Sequence, residues 1–296
     1  MITLLQLRYF QKLAATEHIT QTAKELYISQ TALSSMIIGL EKELGVQLFD
    51  RSKRSIRLND AGRTYLKYVN DIFTSLDNGY AALQDMTDSR ETQVSIAVGS
   101  SLVWAPLFHS FHKNFPKYSL RQYNYSVDGL SRAMRNMEVD FVFAGEGDIP
   151  TTGLERTLLK CDSTYLCVAP NSKFAPRDKV YLSELKDEPF ISLPVGAPWR
   201  KYCDELFEQA GYKISPIVEC DYTMRAPLIE SGFGIALTSS SARDVDLLKP
   251  NKYILIADKF ATRKMELYWN PKKYMSKAAL DFRDFCTLYW PEQKSR

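Results

Sequence analysis

The spacing of apolar residues changes character near residue 92. Before that point apolar positions recur every three or four residues, the repeat of amphipathic helices. Leu4, Leu7, Phe10, Leu13 and Ala14 define a first helix. "ITQTAKELYI" defines a second, with Thr20 as the expected N-cap and Ala23 and Leu26 turned inward. After a break at Ile28 and Ser29 comes "QTALSSMIIGLEKELG", closed by Gly45 as a helix C-terminus should be. With about 100° per residue, Leu33, Met36, Ile37 and Leu40 share one face of this third helix. Thr31, Ser34, Ser35 and Ile38 share the opposite one, and no charged residue appears before Glu41. "VQLFDRSKRSIRL" alternates around a turn and predicts a two-stranded hairpin. "NDAG", from Asn59, opens a long helix reaching about Arg90. Its apolar stripe is Leu66, Val69, Phe73, Leu76, Tyr80 and Leu83, with little else nearby to bury it.

From Val94 short apolar strands alternate with helices. "VSIAVG", "LRQYNYS", "VDFVFAG", "STYLCVAP", "PFISLP", "SPIVEC", "GIALTS" and "MELYWNP" read as strands. "LVWAPLFHSFHKNFP", "DGLSRAMRNME", "PWRKYCDELFEQAG", "YTMRAPLIESGFG" and a segment from about Met275 to Tyr289 read as helices. That alternation predicts a mostly parallel sheet with helices on both faces. The segment is long for one such sheet, so two lobes with a cleft between them are expected.

Charge narrows the partners. The chain of 296 residues carries a net charge of only +3, and residues 1–90 hold 11 Lys and Arg against 10 Asp and Glu. A nucleic-acid partner must therefore be met by a local patch rather than by bulk charge. The hairpin supplies one: Asp50, Arg51, Lys53, Arg54 and Arg57 sum to +3 within eight residues. No cationic start followed by a long apolar core marks the N-terminus, and no run of 18 apolar residues occurs, so neither a signal peptide nor a membrane span is expected. The expected location is cytoplasmic, with no membrane partner. Five cysteines, odd in number and without a C-x-x-C pair, read as reduced thiols.

The uncharged face of the third helix now acquires a meaning. Base edges in the major groove are read by donors, acceptors and methyl contacts. Gln30 can pair bidentately with adenine, Thr31, Ser34 and Ser35 can donate to bases or phosphates, and Ile38 can meet thymine methyls. Without Arg or Lys on this face, readout should lean toward A·T pairs. The "RSKR" hairpin would attract phosphates as a wing beside the helix. The competing reading is a helical packing module with a charged turn. The long helix wants a partner helix, most simply its copy in a second chain, or else the chain's own C-terminal domain.

Residues 4–66 resemble the winged helix-turn-helix of the LysR-type transcriptional regulators. The shared pieces are "L-R-Y-F", "A-x-x-L-x-x-S-Q-x-A-L-S", "L-E-x-x-L-G-V-x-L-F-x-R" and "L-x-x-A-G". The remainder fits the family plan by pattern alone. The resemblance implies an α+β multidomain fold. Its parts are an N-terminal winged helix-turn-helix (1–58), a long linker and dimerisation helix (59–90) and a C-terminal two-lobed α/β effector-binding domain (91–296). The last would be periplasmic-binding-protein-like, with lobe I at about 91–162 and 268–296 and lobe II at about 163–267. Carried over by position, DNA contacts fall on Ser29, Gln30, Thr31, Ser34 and Ser35, and wing contacts on Arg51, Lys53 and Arg54. Two departures stand out. Thr31 replaces a frequent Pro, leaving one more backbone donor. Ser35 and Met36 replace a usual basic residue and Gln, removing a phosphate or guanine contact. The implied partners are double-stranded promoter DNA, a small-molecule effector, a second copy in a dimer or tetramer, and RNA polymerase. Dimerisation is expected along Leu66, Val69, Phe73, Leu76, Tyr80 and Leu83.

In open α/β sheets ligands lie beyond the carboxyl ends of strands, here "GSSLVW", "SVDG", "AGEGD", "SLPVGAPW" and "CDYTMR". Three of these lead into helix starts, whose free N–H groups favour an anion. The expected effector set is Ser100, Ser101, Trp104, Asp128, Pro194, Val195 and Thr223, with Trp199 and Arg200 as further candidates, and the expected effector a small carboxylate. His109 and His112 are spaced for a metal but lack further ligands, and "GFG" and "GEG" are lone glycine pairs. No G-x-S-x-G elbow is present. No cofactor, metal or catalytic residue is expected. The chain reads as a regulator rather than an enzyme; the alternative is a small-molecule-binding protein or enzyme with an N-terminal assembly module.

Overall fold

The structure, a computed structural model, describes residues 1–51, 56–86, 92–245 and 250–290. Its contacts divide into two compact units, Met1–Leu83 and Gln84–Arg296.

The first unit begins with α1 (Leu4–Thr16), α2 (Ile19–Glu25) and α3 (Gln30–Leu44). Each start has a chemical cause. Thr3 and Gln6 form a reciprocal capping box on α1, and the Ser29 hydroxyl accepts from the Ala32 amide at 3.1 Å on α3. The α2 cap is His18, not Thr20: its Nδ1 accepts from the Gln21 amide at 3.2 Å. Gly45 ends α3 at φ 70°. Strands β1 (Phe49–Arg51) and β2 (Ile56–Leu58) pair antiparallel as the expected hairpin. The buried carboxylate of Glu41 accepts from the Leu48 and Phe49 amides at 2.9 and 3.3 Å, tying the end of α3 to the first strand. The long helix α4 (Asp60–Met86) follows. A Cβ on Gly62 would stand 2.1 Å from the Leu48 carbonyl oxygen, so only glycine lets the first turn of α4 approach the hairpin. Phe10, Leu13, Leu33, Ile37, Leu40 and Phe49 form the core, and Phe10 meets Phe49 edge-to-face at 5.6 Å.

Glu17 fastens the end of α1 to β2. Its carboxylate accepts from the Leu58 amide and from Arg57, each at 2.8 Å. The Leu58 amide first, and Arg57 second, hold its carboxyl below the ordinary 4.5. A depressed folded value stabilises above the unfolded value, and that contribution disappears as pH falls through the folded one. Glu17→Gln should therefore lose less stability than the parent between about pH 5 and 3. Thermal melts across that range check this; equal acid sensitivity contradicts it.

The second unit opens with β3 (Gln93–Val98), a 3-10 turn (Leu102–Trp104), α5 (Ala105–Asn114), β4 (Ser119–Asn124), α6 (Val127–Arg135) and β5 (Phe141–Gly145). Next come β6 (Glu155–Val168), β7 (Lys179–Val180), β8 (Ile191–Ser192), α7 (Pro198–Gln209), β9 (Val218–Glu219) and α8 (Tyr222–Glu230). The last elements are β10 (Ala236–Ser239), α9 (Ser240–Asp244), β11 (Lys252–Ile256), β12 (Thr262–Trp269) and α10 (Lys277–Tyr289). The main sheet runs β4-β3-β5-β12-β6-β11-β7, with β10 also paired to β6.

This sheet is mixed, not mostly parallel. β3 is parallel to β4 and β5, but β12 is antiparallel to both β5 and β6. The reason is two long strands, β6 and β12, that pass side by side from one core to the other. One core gathers Val94, Ile96, Phe111, Phe141, Phe143 and Phe282; the other gathers Leu166, Val180, Phe190, Leu206, Phe207 and Ile254. On β6 the division between the two cores falls between Leu159 and Leu166, and on the return it falls between Ala261 and Met265.

Candidate functional site

The third helix presents the face expected of a base reader. Leu33, Ile37 and Leu40 are sealed in the core, while Ser29, Gln30, Thr31 and Ser35 are exposed and Ser34 is half-buried. Ile38 adds an apolar patch at 49% exposure. Ser29 has a structural duty as well: besides capping α3, its hydroxyl lies 2.9 Å from that of Thr31. Of the wing residues, Lys53 and Arg54 lie outside the described residues, as does the side chain of Arg51.

The stripe of α4 divides between two tasks. Val69 is fully buried and Phe73 nearly so, both in the core of the first unit, with Leu66 packed against them. The Arg8 guanidinium covers the Phe73 ring at 3.8 Å. Val69 and Phe73 thus serve this unit's own core, and Leu66 is half-buried beside them. Leu76, Tyr80 and Leu83 stay exposed, as do Tyr68 and Ile72. Leu4 is exposed and lines a groove with Tyr68, Ile72 and Leu76.

Within the second unit the two lobes meet along a closed seam. The Val127 amide donates to the Gly196 carbonyl at 3.1 Å, and Lys201 donates to the Gly147 carbonyl at 2.8 Å. A Cβ on Gly99 would stand 2.5 Å from Pro198, so the lobes touch where glycine permits it. Arg263 pairs with Asp148, both buried, and donates to the Pro198 carbonyl at 3.3 Å. Asp148 also accepts from the Gly145 amide at 2.7 Å.

Several expected effector residues flank this seam. Ser100 and Ser101 are half-buried; Asn124 donates to Ser101 at 3.4 Å, and the Tyr222 phenol approaches Ser100. Thr223 is exposed, its hydroxyl donating to Asp221 at 2.5 Å. Asp128, Pro194 and Val195 are exposed, so the last two form no enclosed apolar wall. Trp104 is not a lining residue. It is 1% exposed, with its ring 4.4 Å from that of Phe143 in the lobe I core. Trp199 is buried and donates to the Leu237 carbonyl at 3.1 Å. Arg200 is buried and donates to the Leu193 carbonyl, Asp204 and Glu219.

Sequence reasoning missed Arg225, Tyr222 and the Arg263–Asp148 pair. The available signal for Arg225 was a cation in the middle of the apolar stretch "MRAPLI". All five cysteines are free thiols. Burial pushes Cys167 and Cys203 up to about 12, so they remain protonated at neutral pH. Among the described residues no group of His, Cys, Asp or Glu is placed to hold a metal ion, and no helix is long and apolar enough to cross a membrane.

Comparison with known proteins agrees with both units. The family model for the bacterial regulatory helix-turn-helix protein, lysR family, matches residues 4–63, and the LysR substrate binding domain matches residues 87–290. The uncharacterized HTH-type transcriptional regulator YybE of Bacillus subtilis is 30% identical over 293 residues, covering 97% of this chain and 99% of its own. The transcriptional dual regulator GltC of Bacillus subtilis is 28% identical over 244 residues, 80% of each chain. Among solved structures, full-length OxyR of Pseudomonas aeruginosa aligns with a TM-score of 0.66 at 19% identity, covering 97% of this chain and 95% of that one. Full-length CbnR complexed with its target DNA aligns at 0.59 and 19%, covering 96% and 99%. At such identities these structures bear on the fold alone. The two family models, met in the order in which the fold presents its units, place this chain in the LysR family: it is a DNA-binding transcriptional regulator with an effector-binding domain, not an enzyme.

Proposed function

We propose that this regulator reads an A·T-leaning promoter site through Gln30, Thr31, Ser34, Ser35 and Ile38, with Ser29 fixing the helix start. Arg51, Lys53 and Arg54 grip phosphates from the wing. The observation that carries the reading is the solvent-facing, uncharged side of α3 over a sealed Leu33, Ile37 and Leu40. CbnR, which shares the fold, was solved on its target DNA, and duplex DNA is the partner proposed here for α3. Two copies join along Leu76, Tyr80 and Leu83, and RNA polymerase is the further partner at the promoter. A small carboxylate at the inter-lobe seam modulates the outcome; the hydroxyls of Ser100 and Ser101 and the buried cation Arg225 support that chemistry.

Mutation separates the two DNA roles. Gln30→Ala should cost about 1–3 kcal/mol at one base pair and relax preference there. Arg51→Ala should weaken binding to all sequences alike and flatten the salt dependence by about one phosphate contact. Competition binding on promoter fragments at several salt concentrations reads both. Identical effects of the two substitutions would sink the assignment.

A further inference from the structure

Arg225 lies on α8 at 1% exposure. Its Nη2 donates to the Leu237 carbonyl at 2.6 Å, an oxygen that also accepts from Trp199 Nε1. Nε and Nη1, which together carry three of the five guanidinium N–H bonds, are buried without a hydrogen-bond partner. No ion pair among the described residues includes Arg225. An isolated buried guanidinium is costly, because its lost hydration is not replaced. The thiols of Cys167, Cys203 and Cys220 feel its charge, yet burial raises all three, so none supplies the missing anion.

The guanidinium lines a cavity of about 10 Å³ in lobe II, room for about one water or one carboxylate oxygen. Phe190, Leu193, Trp199 and Phe207 give this cavity an apolar wall, with Ser192 beside them. On the seam side the Tyr222 ring packs against the guanidinium at 5.4 Å, and its phenol approaches Ser100 of the other lobe.

We infer that Arg225 is the anion anchor of the effector, which is a monocarboxylate with an apolar body. One carboxylate oxygen takes the water-sized space against Nε and Nη1. The body needs more room than the cavity offers, so it displaces Tyr222 from Ser100 and reaches the seam between the lobes. Occupancy of a site inside lobe II is thereby coupled to a contact that joins the lobes. The inference rests on the carboxylate reading of the effector and adds to it a location and a counter-ion.

Thermal denaturation of the full chain tests it, with sodium benzoate and sodium acetate as probes and sodium chloride at equal ionic strength as the control. Ligands that bind only the folded state raise Tm. Benzoate should raise Tm more than acetate, and Arg225→Met should lose both rises. Without ligand, Arg225→Met should melt higher than the parent, since it removes an uncompensated buried charge. An arginine with a merely structural role would give a lower melt and leave the benzoate rise intact. If parent and variant respond equally to benzoate, the carboxylate reading stands and the Arg225 assignment fails. If the parent responds to neither probe, both fail. Crystals of the full chain grown with 4-bromobenzoate give an answer independent of any variant. The anomalous bromine peak should place the carboxylate on Arg225, and a peak elsewhere overturns the inference.

Discussion

Asp148→Ala should destabilise the effector-binding unit by about 3–5 kcal/mol, the cost of leaving one member of a buried ion pair without its partner. Asp148 and Arg263 are both under 9% exposed, and Asp148 also accepts from the Gly145 amide. The Arg263 guanidinium stands 5.1 Å from the Tyr202 ring and 5.7 Å from that of Trp199, so it cannot swing out to water without leaving the lobe II surface. A Cβ on Gly145 would stand 2.3 Å from Arg263 Nε, which shows how closely the backbone encloses it. Urea unfolding followed by tryptophan fluorescence reads this unit, since all four tryptophans lie in it. A double variant that also replaces Arg263 with Met should recover part of the loss, because the orphaned charge is gone. A loss under about 1 kcal/mol for Asp148→Ala would mean that water reaches the pair.

Val69→Asp and Leu76→Asp lie two turns apart on one helix and should fail in opposite ways. Val69 is fully buried, so an aspartate there carries an unpaired charge into the core, a cost of several kcal/mol. The N-terminal unit should unfold and DNA binding should vanish at every sequence. Leu76 is 48% exposed and touches no core, so Leu76→Asp, combined with Tyr80→Asp, should leave helicity intact. It should halve the mass of the dimer in sedimentation and weaken DNA binding through loss of the second recognition helix. Retention of the dimer's mass by the double variant would overturn the seam at Leu76, Tyr80 and Leu83. A Val69→Asp chain that melts like the parent would show that this side chain is not locked in the core.

The N-terminal unit was legible almost residue by residue, because local rules decide it. Ser29 caps, Gly45 stops, and the 3.6-residue repeat turns Leu33, Ile37 and Leu40 inward. The stripe on α4 was legible as a stripe but not as two stripes. Apolarity alone does not say whether Val69 meets its own domain or a second chain; only the position of Phe10 and Phe49 across the core decides that. In the second unit β6 was seen only in its C-terminal half. Its first half, "ERTLLKCD", carries Lys160 and Asp162, both buried and paired, and these break the apolar pattern. β7 carries only two residues, too few to declare a period. Trp104 illustrates a different limit: a residue just beyond a strand's carboxyl end can turn back into the core, and its neighbours in sequence do not reveal this. Arg225 runs against the apolar pattern around it, a conflict that marked the position but could not show the guanidinium buried.

The paired crossing of β6 and β12 has a mechanical consequence. Their hydrogen bonds run from Thr262 opposite Ser163 to Trp269 opposite Glu155, with a register irregularity between Met265 and Glu266. Two strands bonded along this length act as a ribbon, which flexes readily across its face but resists shear along its edge. Each lobe is built on one end of that ribbon, and sliding one strand past the other would break its inter-strand hydrogen bonds together, so the ribbon resists sliding of the lobes along its length.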